Sequence, residues 1–490
     1  MYHRKFSTII LTILISLLTS GIIAQDTTWV KPKISVTEHS MKIGGAKVDY
    51  SVTCDMMPIF NYNGKQVAGM FYMAYVKDGV TDKSKRPLLF SFNGGPGTAS
   101  VWLHMGVLGP RKVKFDDDGF ALAPPFELED NPYSILDIAD VVFIDPIGTG
   151  YSRMKPGEDA HKFHGTMEDI ESVGEFIRMY TTRNNRWLSP KFLIGESYGT
   201  TRASGLAGHL SEKHLMHING VILVSSMSLN VDVGSDLNYA LILPHYTATA
   251  WYHKKLEDDL LKKPLRAVLD EAEKFALGTY LDILVKGGNI DKEVKMASAL
   301  LVSKYTGLSA QYIFNTNLRI DRGRFRKELL RDENRTVGRL DSRYKGIDRD
   351  AAGENYEYDQ ALSDWEGTFS AAFNSYIREE LYYRTDMSYD IWGYVRPWKR
   401  DERVNVGEML RSAMSQNRNL KVLILEGYYD AACDYFTAMY AFSHIDMNGE
   451  LKDRIKFAFY ESGHMMYAHK PSLIKMKKDI AEFINDSWGK

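Results

Sequence analysis

Residues 192–205 read FLIGESYGTTRASG, and they set a serine inside G-x-S-x-G where an apolar run gives way to small, helix-compatible residues. A serine hydroxyl attacks a carbonyl only when a neighbouring base removes its proton and fixed N–H groups receive the charge that develops on oxygen. A sharp strand-to-helix turn serves the second need, because it lifts the hydroxyl above a sheet and aims main-chain N–H groups at the reacting group. Ser197 is therefore the candidate nucleophile, with PKFLIG as the strand before it and TTRASGLAGHL as the helix after it. Its orienting acid and its base are expected downstream, in that order. LKVLILEGYYDAACDYF (420–436) ends a strand in a loop with Glu426, Asp430 and Asp434, and spacing alone does not choose among them. RIKFAFYESGHMMYAHK (454–470) ends another strand in a loop with His464 and His469. Gly463 favours a turn that presents the His464 ring, whereas His469 stands at the start of the last helix, just before Pro471, in a surface setting. FSFNGGPGTASVW (90–102) adds a glycine-rich loop after the first core strand, where a second source of N–H donors is expected; no GK[ST] follows it, which argues against a phosphate cradle. The residue beside the nucleophile, Glu196, raises its own question, since a carboxylate there has no evident use in attacking a carbonyl.

Such side chains need a sheet whose strand ends meet at one edge. RPLLFSF (86–92), ADVVFIDP (139–146), PKFLIG (190–195), NGVILVSS (219–226), LKVLILEG (420–427) and RIKFAFYE (454–461) are short, nearly continuous apolar runs, the pattern of strands buried on both faces of a parallel sheet. Met167, Ile170, Val173, Phe176, Ile177 and Tyr180 share one face of a helix over 166–180. Alternating strands and helices predict a doubly wound α/β sheet. Ahead of it, KISVTEH, KVDYSVTCDM and GMFYMAYV predict antiparallel strands, with NYNGKQ as a hairpin turn. The alternation breaks between 232 and 400, where 265–286 and 292–305 are helical in pattern and 328–360 is polar and turn-rich. The chain thus divides into a segment 1–24, a first core part 25–231 that holds the elbow, a mainly helical cap 232–400, and a second core part 401–490 that holds the acid and histidine loops.

A chain of 490 residues with a formal net charge of −2 is long enough for a large core and gives no reason to expect nucleic acid as a partner. His3, Arg4 and Lys5 precede the apolar run IILTILISLL (9–18) and small residues around Ala24, the layout of a secretory signal. Export is expected, to the periplasm or beyond, with no stable membrane anchor after cleavage. Only Cys54 and Cys433 occur, and a core of this size needs no staple, so two buried free thiols are expected over a disulfide. No metal is expected: there is no HExxH, and His464 and His469 are too far apart for one helical face.

NGGPG (93–97), DPIGTGYS (145–152), GESYG (195–199), GYYDAAC (427–433) and GHM (463–465), in this order, resemble the serine carboxypeptidase family over nearly all of the chain beyond residue 24. The resemblance implies an α/β-hydrolase fold: a mostly parallel central sheet covered by helices, antiparallel N-terminal strands and a mainly helical cap insertion. It implies Ser197 as nucleophile, His464 as base and then acid, and Asp430, three residues before Cys433, as the acid that fixes the imidazole. It gives the oxyanion to the N–H groups of Gly95 and Tyr198, and substrate contacts to Asn93, Gly94, Glu196, Cys433 and Met465. In the family the residues at Asn93 and Glu196 bind the free C-terminal carboxylate of a peptide, and Glu196 must be protonated to do so. No cofactor is implied. The pattern also departs from the well-known eukaryotic members. GVLGP (106–110) places Val107 where they carry a second acid, Ile144-Asp145 stands where Asp-Gln is usual, and their set of disulfides is absent, all of which suits a bacterial branch. The expected function is an exported serine carboxypeptidase acting on peptides with a free C-terminus. An esterase or acyltransferase on the same fold is the alternative, and a catalytically silent binding protein is a weaker one, since binding alone does not need a complete triad.

Overall fold

The apolar runs become the interior of a ten-stranded sheet in the computed structural model, which describes residues 34–399, 401 and 403–489. The signal segment expected over 1–24 lies outside the described residues. Nine strands form the main path: β1 (Ser35–Ile43), β2 (Ala46–Phe60), β3 (Gln66–Lys77), β4 (Leu88–Phe92), β5 (Asp140–Ile144), β6 (Lys191–Glu196), β7 (Gly220–Val224), β8 (Lys421–Gly427) and β9 (Ile455–Tyr460). Their order across the sheet is β1-β2-β3-β5-β4-β6-β7-β8-β9, with the two-residue strand Arg153–Met154 paired to β3. Pairing is antiparallel from β1 to β5 and parallel from β5 onward. The turn NYNGKQ closes the β2–β3 hairpin, with Asn61 N–H donating to the Lys65 carbonyl at 2.9 Å.

Burial on both faces explains the unbroken apolar character. Leu89, Phe143, Ile194, Val224 and Leu425 enter one core, while Phe90, Val142, Leu193, Leu223 and Ile424 enter the other. Helices α1 (Thr166–Arg183) and α2 (Tyr198–His214) cover the second face, where Ile170, Val173, Phe176 and Leu206 are buried. Helix α3 (Ser235–Tyr252) joins α4 (Leu265–Phe275) and α5 (Lys292–Thr306) around a third apolar cluster, which also takes in Tyr428, Tyr429, Tyr435 and Phe436 beyond the end of β8. Helices α6 (Gln360–Glu379) and α9 (Lys470–Asp486) cover the first face through Trp365, Phe369, Leu473, Ile480 and Phe483. Each such side chain contributes about 1.5–3 kcal/mol on burial. The arrangement is the α/β-hydrolase fold, with antiparallel N-terminal strands and a mostly parallel centre. Among the described residues no helix is long and apolar enough to cross a membrane.

One stretch differs from its sequence pattern. Residues 328–360 are polar and turn-rich in sequence, yet Asp341, Ser342 and Arg343 are buried. They lie between the short paired strands Thr336–Val337 and Lys345–Gly346, against the loops that follow β8 and β9.

Candidate active site

Ser197 sits between β6 and α2 with φ 60° and ψ −126°, a left-handed conformation that costs a non-glycine residue about 1–3 kcal/mol. The turn is tight enough that a side chain at Gly195 would run into the Gly199 carbonyl. It is anchored by Ser197 N–H donating to the Val224 carbonyl at 2.9 Å. The glycine-rich loop after β4 lies directly against the elbow: a Cβ on Gly94 would come within 2.5 Å of the Tyr198 nitrogen. Only glycine permits that approach, which packs the glycine-rich loop against the Tyr198 amide.

Of the three acids at the end of β8 and in the loop beyond it, only Asp430 reaches His464. His464 Nδ1 donates to Asp430 Oδ2 at 2.6 Å, and both residues are buried. Asp430 Oδ1 is held in turn by the N–H groups of Ala432 at 2.7 Å and Cys433 at 3.1 Å. Glu426 remains in β8, where it accepts from Ser226 N–H at 3.0 Å. Asp434 caps the helix α8 (Tyr435–His444) through Thr437 N–H and pairs with Arg322 at 2.7 Å. His469 is only half-buried and bonds to Ser472 Oγ at 2.7 Å. Burial by itself lowers the His464 pKa, but the charge and hydrogen bond of Asp430 reverse this and hold it well above the ordinary value. Ser197 and His464 line one cavity of about 140 Å³. Their side chains are not hydrogen-bonded to each other here, and such catalytic contacts commonly tighten only around a bound substrate.

Asn93, Gly94, Gly95, Glu196 and Met465 line the same cavity. Cys433 does not, although its neighbour Ala432 does, and the Cys433 sulfur lies within 4.8 Å of the ligating atoms of Asp430 and His464. Cys54 is a free thiol in the first core and Cys433 is also free. Glu196 is buried, and burial pushes its pKa up to about 7 against the lowering influence of His464 and of Tyr467. Asn93 Oδ1 accepts from Leu103 N–H at 3.1 Å, and its buried Nδ2 is left without a full hydrogen bond, close enough to Glu196 to lower that carboxyl's pKa. The Glu196 carboxyl, protonated below about pH 7, and the Asn93 amide thus border the cavity beside the serine. Such a pair suits an anion with two oxygens.

The sequence pattern gave no sign of several neighbours. Arg339, Leu340, Trp102 and Trp392 form part of the cavity wall. Leu340 O accepts from His464 N–H at 2.6 Å, Arg339 O from Ala431 N–H at 3.0 Å, and the Asp341 carboxylate from Gly463 N–H at 3.1 Å. Ser342 N–H donates to the Tyr429 carbonyl at 2.9 Å. Residues 339–343 therefore tie the acid loop to the histidine loop, fastened by the buried Asp341–Arg343 ion pair at 2.7 Å. A second segment, 390–393, joins the glycine-rich loop, with Gly393 N–H donating to the Gly97 carbonyl at 2.7 Å and Ala99 N–H to that of Ile391 at 3.0 Å.

Comparison with known proteins points to one family. The profile of the serine carboxypeptidase family matches residues 59–472. The chain is 28% identical to serine carboxypeptidase-like 36 of Arabidopsis thaliana over 186 residues, 36% of each protein. It is 26% identical to the pheromone-processing carboxypeptidase KEX1 of Phytophthora infestans over 156 residues, 30% of this chain and 24% of that one. The matched stretches span about a third or less of these relatives' lengths. Among solved structures, KEX1(delta)p, a prohormone-processing carboxypeptidase from Saccharomyces cerevisiae, shares the fold with a TM-score of 0.54 over 89% of this chain and 92% of that one, at 14% identity. With the family profile spanning most of its length, this chain belongs to the serine carboxypeptidase family.

Proposed function

We propose that the protein is an exported serine carboxypeptidase that releases C-terminal residues from peptides through an acyl-enzyme on Ser197. The observation that carries this reading is the carboxyl of Glu196, with a pKa of about 7, beside the buried Nδ2 of Asn93 in the cavity that holds Ser197 and His464. Below that pKa the carboxyl donates to the terminal carboxylate of a peptide, and Asn93 donates to the same group. Ser197 Oγ then attacks the last peptide carbonyl while His464 Nε2 takes its proton, and Asp430 keeps Nδ1–H directed and stays ionised. The N–H groups of Gly95 and Tyr198 receive the oxyanion. Collapse breaks the C–N bond, His464 gives its proton to the departing amine, and a water activated by the same ring frees the acyl group. Export is supported by the basic and apolar pattern of residues 3–24, and a bacterial branch by Val107 and Ile144-Asp145.

The test uses one blocked dipeptide as its free acid and as its C-terminal amide, with mass spectrometry of the products across pH. The free acid should lose its last residue with a bell-shaped kcat/KM. The acid side follows His464, which must be neutral and whose pKa Asp430 raises toward that of Glu196, and the alkaline side follows Glu196, which must be protonated, so the bell is narrow. The amide should lack the alkaline fall near pH 7. Internal cleavage of longer peptides, or no hydrolysis of either form alongside rapid ester cleavage, would move the assignment to an endopeptidase or an esterase.

A further inference from the structure

Tyr467 belongs to the one-turn helix Met466–Ala468, directly after the loop that carries His464, and its side chain is buried. Its hydroxyl donates to Glu196 Oε2 at 2.8 Å. The ring reaches that far because residue 106 is glycine: a Cβ on Gly106 would overlap the Tyr467 ring atoms Cδ2 and Cε2. Val107, next to it, is buried and apolar, so this side of the site offers Glu196 no second acid. A phenol donates to whichever carboxyl oxygen carries no proton. We propose that Tyr467 is the positioning residue of Glu196: it holds Oε2 as the carbonyl oxygen, so that the carboxyl proton sits on Oε1 and is presented to the carboxylate of the substrate. The inference rests on the reading that Glu196 meets a terminal carboxylate.

The same hydrogen bond bears on when Glu196 ionises. It is stronger to a carboxylate than to a carboxylic acid, so it works against the burial that raises the Glu196 pKa. The other groups facing Glu196 are His464, whose positive charge also lowers it, Asp430, whose negative charge raises it, and the Asn93 amide, which lowers it. Removing the phenol oxygen alone therefore has two separable consequences. The carboxyl loses its fixed orientation, which weakens binding, and it keeps its proton to higher pH.

Tyr467→Phe changes one atom in a buried ring and preserves the packing against Gly106. With the free-acid dipeptide, we expect its KM to rise about tenfold while kcat changes far less, and the alkaline fall of kcat/KM to move up by about one pH unit. The matching amide, which asks nothing of Glu196, should change much less in either respect. In a Glu196→Gln background, adding Tyr467→Phe should shift no part of the pH profile. The inference is overturned if the alkaline fall of Tyr467→Phe superimposes on that of the wild type or moves down, or if the acid and amide substrates lose activity equally. Superimposable acid and amide profiles on the wild type would instead sink the carboxylate-recognition reading, and this inference with it.

Discussion

Ser197 is held at a positive φ between two close-packed glycines, so the elbow stores strain that only a fixed surrounding can maintain. Its replacement by alanine removes one oxygen and leaves that surrounding intact. We expect Ser197→Ala to fold normally and to lose hydrolysis by about 10⁶, with the residue of activity supplied by the oxyanion donors and substrate binding. His464→Ala should cost about as much, because the base and the nucleophile act as a unit. His469→Ala should cost little, since that ring bonds to Ser472 and lies outside the cavity wall. Turnover of the free-acid dipeptide by purified variants checks all three. If His469→Ala abolished turnover while His464→Ala spared it, the base would be misassigned.

At the scale of elements, the loops that carry Asp430 and His464 meet directly, with Tyr429 N–H donating to the Ser462 carbonyl at 3.0 Å, and a third segment braces both. Residues 339–343 bond to both loops, and Arg343 fastens that segment through Asp341 and through Ser462 Oγ at 3.2 Å. Both charges of the pair are nearly fully buried. Breaking one half of such a pair strands the other charge in a poor solvent, a cost of about 3–5 kcal/mol. Arg343→Ala should therefore lower the unfolding free energy by that amount, read as a lower denaturant midpoint, and depress kcat more than it raises KM, because it disturbs the base and not the carboxylate pair. Arg349→Ala is the control: Arg349 lies 3.8 Å from Asp350 on the surface, where a pair is worth about 0–1 kcal/mol. Equal effects of the two substitutions would sink the idea that the segment braces the site.

For the whole molecule, two sets of buried groups bind protons differently from the unfolded chain, and they act in opposite directions. Burial holds His104 down to about 3 and His245 and His253 down to about 4. A histidine with a depressed pKa favours the folded state while neutral, and that contribution is lost as pH falls through about 6.5. Burial pushes Asp145 and Glu196 up to about 7 and raises Glu426 further. A carboxyl with a raised pKa favours the folded state while protonated, and that contribution is lost as pH rises from about 4 through the folded value. Between pH 4 and 6.5 the two sets oppose each other, while above 6.5 only the acids still act, joined by His464 with its raised pKa. The melting temperature should fall between pH 6.5 and 8, with Asp145 and Glu196 each accounting for on the order of 1 kcal/mol. Asp145→Asn keeps an acceptor for Ser100 N–H and the Tyr389 hydroxyl and removes the ionisation, so it should flatten part of that fall. A melting temperature that stays level or rises over this window in the wild type would contradict the account.

Sequence by itself determined the parts whose geometry is local. A strand buried on both faces must be apolar at every position, so the six central runs are readable one residue at a time. G-x-S-x-G, NGGPG and GHM mark turns that only glycine allows, and each lies at the end of such a run. That is why Ser197, His464, Asn93 and Glu196, read from separate stretches, line one cavity in the structure. Tertiary structure alone decided which groups support them. Tyr467 reaches Glu196 across 271 positions of chain, and no periodicity marks a buried tyrosine as a donor to a distant acid. The run GRLDSR (338–343) reads as polar and turn-rich, yet Asp341, Ser342 and Arg343 are buried because Gly463, Ala431 and Tyr429 arrive from elsewhere in the chain. Cys433 shows the same limit at a single residue: its place three positions after Asp430 is fixed by the loop, but whether it lines the cavity depends on how that loop packs. Local conformation follows from residue type and neighbours in sequence, whereas burial and pairing of polar groups depend on which distant segments the fold brings together.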